Sequence, residues 1–359
     1  MRPSGCEHPS FDPEARGSRF SGFLRHLLAV AIALAVAACA TTGGPSVSPD
    51  ATGSIQPATT ASPAFPTTLT DDEGTKVELA AEPMKIVSLS PATTETLFAL
   101  GVGDRVVGKV EDLSLYPPDA AAIPDVAKFG EVDVEQIVSL GTDLVFAGGN
   151  SFNPPDKIAQ LRTLGIPVLV LYAPDVETVF KDIELTGAAV GRAAEAKDLT
   201  ASTRATFDQI GAATSGLDKP RVFYELDASR EIYTAADESF LAKMIELAGG
   251  EPITTGSTTS FEISLERLVT ADPEIILLGD AAYGATAAGV AARPGWNVMT
   301  AVKDGAIAPV DDVIITRPGP RLVDGLRALA AAIHPDAALP PAPSASAPAG
   351  SAVPAPAAP

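Results

Sequence analysis

The sequence predicts an α/β protein of two lobes, each built on a parallel sheet, with one long helix between them. Three observations predict it. Short β-branched runs alternate with helical patterns in both halves, and strands spaced by helices make βαβ units. The stretch between the two sets carries no strand signal and reads as helix throughout. One helix-to-strand pattern also occurs twice, 131 residues apart.

Lys85–Leu89 (KIVSL), Arg105–Val110, Asp143–Ala147 (DLVFA) and Val168–Tyr172 (VLVLY) read as buried strands of a first lobe, residues 65–191. Val176–Val190 reads as a helix that Gly191 ends. The next run, RAAEAKDLTASTRATFDQIGAAT, is rich in strong helix formers, and its 23 residues would reach about 35 Å. Residues 192–215 are therefore expected to form a stiff strut rather than a flexible hinge. Arg221–Leu226 (RVFYEL), Glu274–Leu278 (EIILL) and Ala306–Val310 supply the strands of a second lobe, residues 216–335.

The repeated pattern is VEQIVSLGTDLVF at 134–146 and LERLVTADPEIIL at 265–277. Each copy is a short amphipathic helix feeding a buried strand, once per lobe. Glu135 and Glu266 occupy equivalent places beside the apolar seam. The residues leave two readings open: a two-point acidic docking surface, or ordinary glutamates on helix surfaces.

Both ends differ in kind from the middle. Arg16, Arg19 and Arg25 precede the apolar run Leu27–Ala38, whose 12 residues fall short of the ~20 that cross a bilayer. A basic region, a short apolar region and small residues before a cut site read as a secretory signal over 1–38. Cys39, directly after Val36-Ala37-Ala38, resembles the bacterial lipobox. That resemblance implies a diacylglycerol on its thiol and a place on the outer face of the cytoplasmic membrane. Residues 39–64 would be a disordered Thr/Ser/Pro/Gly tether, and 336–359 a disordered Pro/Ala-rich tail.

Composition excludes several classes. The chain has 359 residues, 46 % of them hydrophobic, enough for a substantial core. Its net charge is −20, and residues 1–38 carry four Arg against three acids, so the remainder is −21. No basic patch offsets this, and no nucleic-acid partner is expected. Cys6 and Cys39 are the only cysteines, so the folded part has no disulfide. His334 is the only histidine after residue 38, which excludes zinc-site spacing and leaves a Ser-His-Asp site without a placed base. Gly101-Val102-Gly103 lacks the third glycine of a dinucleotide loop. Glu225 and Asp227 share a strand face but read better as a polar strand end than as a hydrolase pair. No catalytic residue, resident metal or cofactor is expected, and the chain is expected to act as a monomer.

The run Lys85-Ile86-Val87-Ser88-Leu89-Ser90-Pro91-Ala92-Thr93-Thr94-Glu95-Thr96-Leu97-Phe98-Ala99-Leu100-Gly101 resembles the opening of the substrate-binding proteins that serve ABC importers of cobalamin, ferric siderophores and heme. Tyr116-Pro117-Pro118, the DVEQIVSLGTDLV segment, Leu164-Gly165-Ile166-Pro167-Val168, Ala248-Gly249-Gly250 and Arg317-Pro318-Gly319-Pro320-Arg321 resemble further landmarks of that family, in order. The resemblance covers about residues 66–335 of this sequence. It implies two Rossmann-like lobes joined by one backbone helix, a ligand cleft between them, and small closure. It also implies that Glu135 and Glu266 pair with arginines on the permease dimer of an importer, which works with an ATPase. The bound metal chelate would then be cargo rather than cofactor.

In open α/β lobes, ligands gather beyond the carboxyl ends of strands. Loops there supply the ligand-binding candidates Ser90, Thr93, Tyr116, Phe129, Asn150, Tyr172, Tyr233, Phe261, Tyr283, Trp296 and Arg317. The hydroxyls near Ser90 have a second possible use in capping the helix they begin. A corrinoid carries little net charge and suits aromatic walls, hydroxyls and backbone donors. A ferric catecholate suits clustered Arg or Lys, and heme iron suits an axial His or Tyr. Arg293 and Arg317 offer a modest anion pair but no dense basic cluster. A corrinoid is the favoured cargo, then a ferric hydroxamate-type siderophore. An envelope hydrolase or a sensory lipoprotein on the same scaffold are the other classes left open.

Overall fold

Apolar runs such as Leu144-Val145-Phe146-Ala147 and Val168-Leu169-Val170 are buried along their whole length. Such unbroken burial requires cover on both faces, as helices give a parallel sheet. The computed structural model describes residues 65–149 and 152–342. An antiparallel hairpin, β1 (Thr67–Thr70) and β2 (Lys76–Leu79), opens the described chain. The first lobe then runs β3 (Ile86–Ser88), α1 (Pro91–Ala99), β4 (Val106–Val110), β5 (Asp125–Lys128), β6 (Glu131–Val132), α2 (Val134–Ser139), β7 (Leu144–Ala147), α3 (Pro155–Thr163) and β8 (Val168–Val170). The strand order is β6-β5-β4-β3-β7-β8, parallel except for the short edge strand β6. The order reverses at β3, which lies between β4 and β7. Loops leaving β3 and β7 therefore diverge and open a crevice at their carboxyl ends.

Two helices follow, α4 (Val176–Ala189) and α5 (Ala193–Thr214). Arg192 is the residue before α5, so the strut begins one position later than its sequence suggested. Gly187 lets these helices close together: a Cβ there would overlap the Ala196 methyl and the Arg192 carbonyl.

The second lobe runs β9 (Arg221–Glu225), β10 (Ile232–Tyr233), α6 (Phe240–Leu247), β11 (Glu251–Pro252), β12 (Glu262–Ile263), α7 (Leu265–Ala271), β13 (Ile275–Leu278), α8 (Ala287–Ala291), α9 (Thr300–Asp304), β14 (Ile307–Pro309), α10 (Asp312–Thr316) and α11 (Leu322–Ile333). Its sheet, β11-β9-β13-β14, is wholly parallel, and β10 pairs antiparallel with β12. The order again reverses, at β9.

One hydrophobic core passes through both lobes. It joins Ile86, Leu97 and Phe146 of the first to Val222, Tyr224 and Leu277 of the second, through α4, α5 and α11. The other face of each sheet has its own core, around Val87, Val145 and Ile137 in the first lobe and Phe223, Ile276 and Trp296 in the second. The lobes thus share apolar packing on their helical side. No described helix is long and apolar enough to cross a membrane. The expected signal segment, tether and Cys39 lie outside the described residues, as does the tail beyond residue 342.

Candidate ligand cleft between the lobes

The crevice carries a cavity of about 570 Å³ with walls from both lobes. Ser90 after β3, Gly148 after β7, Phe152, and Tyr172 after β8 come from the first lobe. Phe240 at the start of α6, Phe261 before β12, and Asp312, Thr316 and Arg317 of α10 and its end come from the second. Its walls are mainly aromatic and apolar. Ser90 precedes α1 without capping it through its side chain, which leaves its hydroxyl for the cleft. Thr94, one turn on, instead donates to Ser88 Oγ at 3.0 Å.

Ion pairs bind the lobes together at one side of this cavity. Arg317 Nη1 donates to Glu95 Oε1 at 2.7 Å and Asp112 Oδ2 at 2.8 Å, and its Nη2 donates to Asp112 Oδ1 at 3.0 Å. Arg321 donates to both oxygens of Glu95, at 2.9 and 2.6 Å, and lies 3.7 Å over the Tyr116 ring. Two second-lobe arginines therefore hold α1 and the 112–116 loop of the first lobe.

A family model for periplasmic binding proteins matches residues 86–313. The chain belongs to that family. An uncharacterized ABC transporter substrate-binding lipoprotein, YvrC of Bacillus subtilis (strain 168), is 34 % identical over 277 residues, covering 76 % of this chain and 87 % of its own length. A cobalamin-binding protein of Halobacterium salinarum (strain ATCC 29341 / DSM 671 / R1) is 32 % identical over 282 residues, covering 75 % and 74 %. The periplasmic heme-binding protein RhuT from Roseiflexus sp. RS-1 shares the fold with a TM-score of 0.62 and 26 % identity, over 70 % of this chain and 98 % of that one. These relatives are solute-binding proteins.

In this periplasmic binding protein, the expected ligand residues are distributed unevenly. Ser90, Tyr172, Phe261 and Arg317 line the main cavity. Thr93 is buried and faces a smaller one of about 30 Å³ behind it, with Thr96, Asp182 and Thr186. Tyr116 is held under Arg321. Phe129 is 78 % exposed and packs edge-on to Phe152, ring centres 6.1 Å apart. Tyr233 sits half-buried in β10 and Tyr283 is 87 % exposed; neither lines the cavity. Asn150 lies outside the described residues. Phe152, Phe240 and Asp312 are cavity residues that sequence reasoning missed.

Two expectations need correction. Trp296 is 3 % exposed and belongs to the second-lobe core, edge-on to Phe223, because its loop folds back under the sheet. Arg293 and Arg317 do not form an anion pair. Each is already bound to carboxylates, Arg293 to both oxygens of the buried Glu225 at 2.5 and 2.8 Å. The partner of Glu225 is thus Arg293 rather than Asp227. Beside it, burial and then the Glu225 charge push the Asp280 carboxyl up to about 6.

Asp182 on α4 is the most perturbed carboxyl near the cleft. Burial first, and the neighbouring Asp72 charge second, push it up to about 8. Its Oδ1 is buried without a hydrogen-bond partner among the described residues. A carboxyl raised this way favours the fold in its protonated form. Its contribution is complete below about pH 4 and is lost as pH rises through 8. The melting temperature is therefore expected to fall between about pH 4 and 8 and to level off above that. Asp182→Asn should remove about 1–2 kcal/mol of that loss, measured by thermal melts across the range; an unchanged slope would contradict it.

Glu135 and Glu266 are both exposed, and each is the second residue of its helix. Asp133 caps α2 by accepting from Gln136 N at 2.9 Å, and Ser264 caps α7 by accepting from Arg267 N at 3.2 Å. The two copies of the sequence repeat are therefore equivalent in local structure.

Proposed function

We propose that this protein captures a metal chelate, a corrinoid foremost, and delivers it to an ABC importer. Its partners on this reading are a permease dimer with its ATPase. A lipid on Cys39 holds it at the outer face of the cytoplasmic membrane, where tethering raises its effective concentration at the importer. It performs no covalent chemistry, and the bound chelate is cargo rather than cofactor.

One observation carries the choice of cargo. The cleft offers aromatic rings, hydroxyls and backbone groups, while the arginine in its wall is already paired with carboxylates. Such a surface suits a large ligand of low net charge, because aromatic side chains give wide contact at little entropic cost. The cobalamin-binding relative points the same way. The protein is expected to bind cyanocobalamin with a Kd at or below about 1 μM by calorimetry. Silence toward cobalamin, with binding of ferrichrome or hemin in the same panel, would replace the corrinoid. Hemin with Tyr172 as an axial ligand would show as a Soret shift abolished by Tyr172→Phe.

A further inference from the structure

We propose that Glu95 and Asp112 determine the charge class of the cargo: by neutralising Arg317 in the cleft wall and the adjoining Arg321, they exclude polyanionic chelates. The proposal rests on the reading of the inter-lobe cavity as the cargo site. Arg317 is the one cationic side chain among the described residues that line this cavity. Its Nη1 and Nη2 donate to four oxygens, in Glu95, Asp112 and Ser114. Arg321, next along the same loop, has Glu95 for its carboxylate and Tyr116 for its face. Two positive and two negative charges therefore cancel within one cluster.

The cluster is buried enough for this cancellation to persist in salt. The side chain of Glu95 is 2 % exposed and that of Asp112 is 12 % exposed. Screening by ions acts weakly on such pairs. Burial pushes the Asp112 carboxyl up, but hydrogen bonds from Arg317 and Ser114 outweigh it and hold it below the usual carboxylate range. Both arginines are tied before any ligand arrives. A polyanion would have to compete with carboxylates that are already optimally placed, and it would meet them as like charges. Rejection by repulsive groups is an ordinary route to specificity. A tie between lobes, by itself, needs no charge next to the cavity; the shared apolar core already joins them.

The test titrates the wild type, Glu95→Gln and Asp112→Asn with two probes, cyanocobalamin and the trianionic iron(III) tris-catecholate. Each variant keeps the shape of the acceptor and releases one positive charge. Both are expected to bind the trianion at least about tenfold more tightly than the wild type. This gain should persist, falling by less than about threefold, between about 50 mM and about 500 mM salt, because the released arginine is as sheltered as its pairs. Cobalamin affinity should change less than about threefold. Glu177→Gln, which releases the surface residue Arg204 away from the cavity, serves as a control and should gain nothing. Thermal melts establish folding, and Asp112→Asn, at the more open side of the cluster, carries the test if Glu95→Gln fails to fold.

Folded variants without any gain, or a wild type that binds the trianion equally well, would overturn the proposal. Loss of cobalamin binding without a gain in anion binding would do the same, and would make the cluster a structural tie. Silence of every protein toward cobalamin, with the anion gain intact, would instead remove the corrinoid and leave this inference standing.

Discussion

Reversing two charges, Glu135→Lys with Glu266→Lys, is expected to reduce chelate uptake at least tenfold while leaving chelate affinity unchanged. The two glutamates stand on α2 and α7, and neither helix lines the inter-lobe cavity. Each lies beside a polar groove at the edge of its sheet. The first groove, about 340 Å³, is lined by Asp125, Glu131, Asp133 and Gln136; the second, about 560 Å³, by Glu251, Ser264, Glu266 and Arg267. A two-fold permease presents the same surface twice, and a binding protein with one equivalent acid per lobe can meet both copies. One exposed ion pair contributes only about 0–1 kcal/mol. Reversal does more, because two attractions become two repulsions and long-range steering changes sign. Each substitution also places a cation at a helix N-terminus, at a cost of about 0.3–1 kcal/mol, so melts must accompany the assay. Uptake of labelled cobalamin by cells that depend on the variant measures the effect. Uptake at the wild-type rate would remove these residues from docking.

Strands buried on both faces were legible because they leave little choice of composition: β3, β7, β8, β9 and β13 all fall within the runs read from sequence. The strut was equally plain, since its Ala/Glu/Lys/Leu content needs no tertiary partner to favour helix. Three short strands were not legible. β5, β6 and β11 have two to four residues and mix charge with apolar side chains, so only pairing with a neighbour makes them strands. The site divides along the same line. Ser90 and Tyr172 could be found because they follow the carboxyl ends of parallel strands, β3 and β8. Phe240 could not, because it reads as the first apolar residue of an amphipathic helix and reaches the cavity only through the approach of the lobes. The Glu95–Arg317 contact spans 222 residues and leaves no local pattern. Trp296 misled for the converse reason: its neighbours Arg293, Pro294 and Gly295 are loop residues, and only tertiary packing, against Phe223 and under Arg293, buries it.

Trp296→Ala is accordingly expected to cost about 3–5 kcal/mol of stability, as for other large aromatic truncations in cores, whereas Trp296→Phe should leave chelate affinity unchanged. The ring fills the space under Phe223, at 6.0 Å between centres and 72° between planes. The Arg293 guanidinium lies 4.6 Å over its other side. Removing the indole therefore opens a cavity and also takes away the surface against which Arg293 is held on Glu225, whose carboxylate is fully buried. A buried carboxylate whose cation has lost its support costs more than the lost apolar contact alone. Urea unfolding of the two variants separates these effects from binding. Phenylalanine keeps most of the volume and a π-face for Arg293, so its loss should be the smaller. If Trp296→Phe kept wild-type stability but lost tenfold in chelate affinity, the indole would belong to the ligand surface, and its burial would have to be relieved when cargo binds.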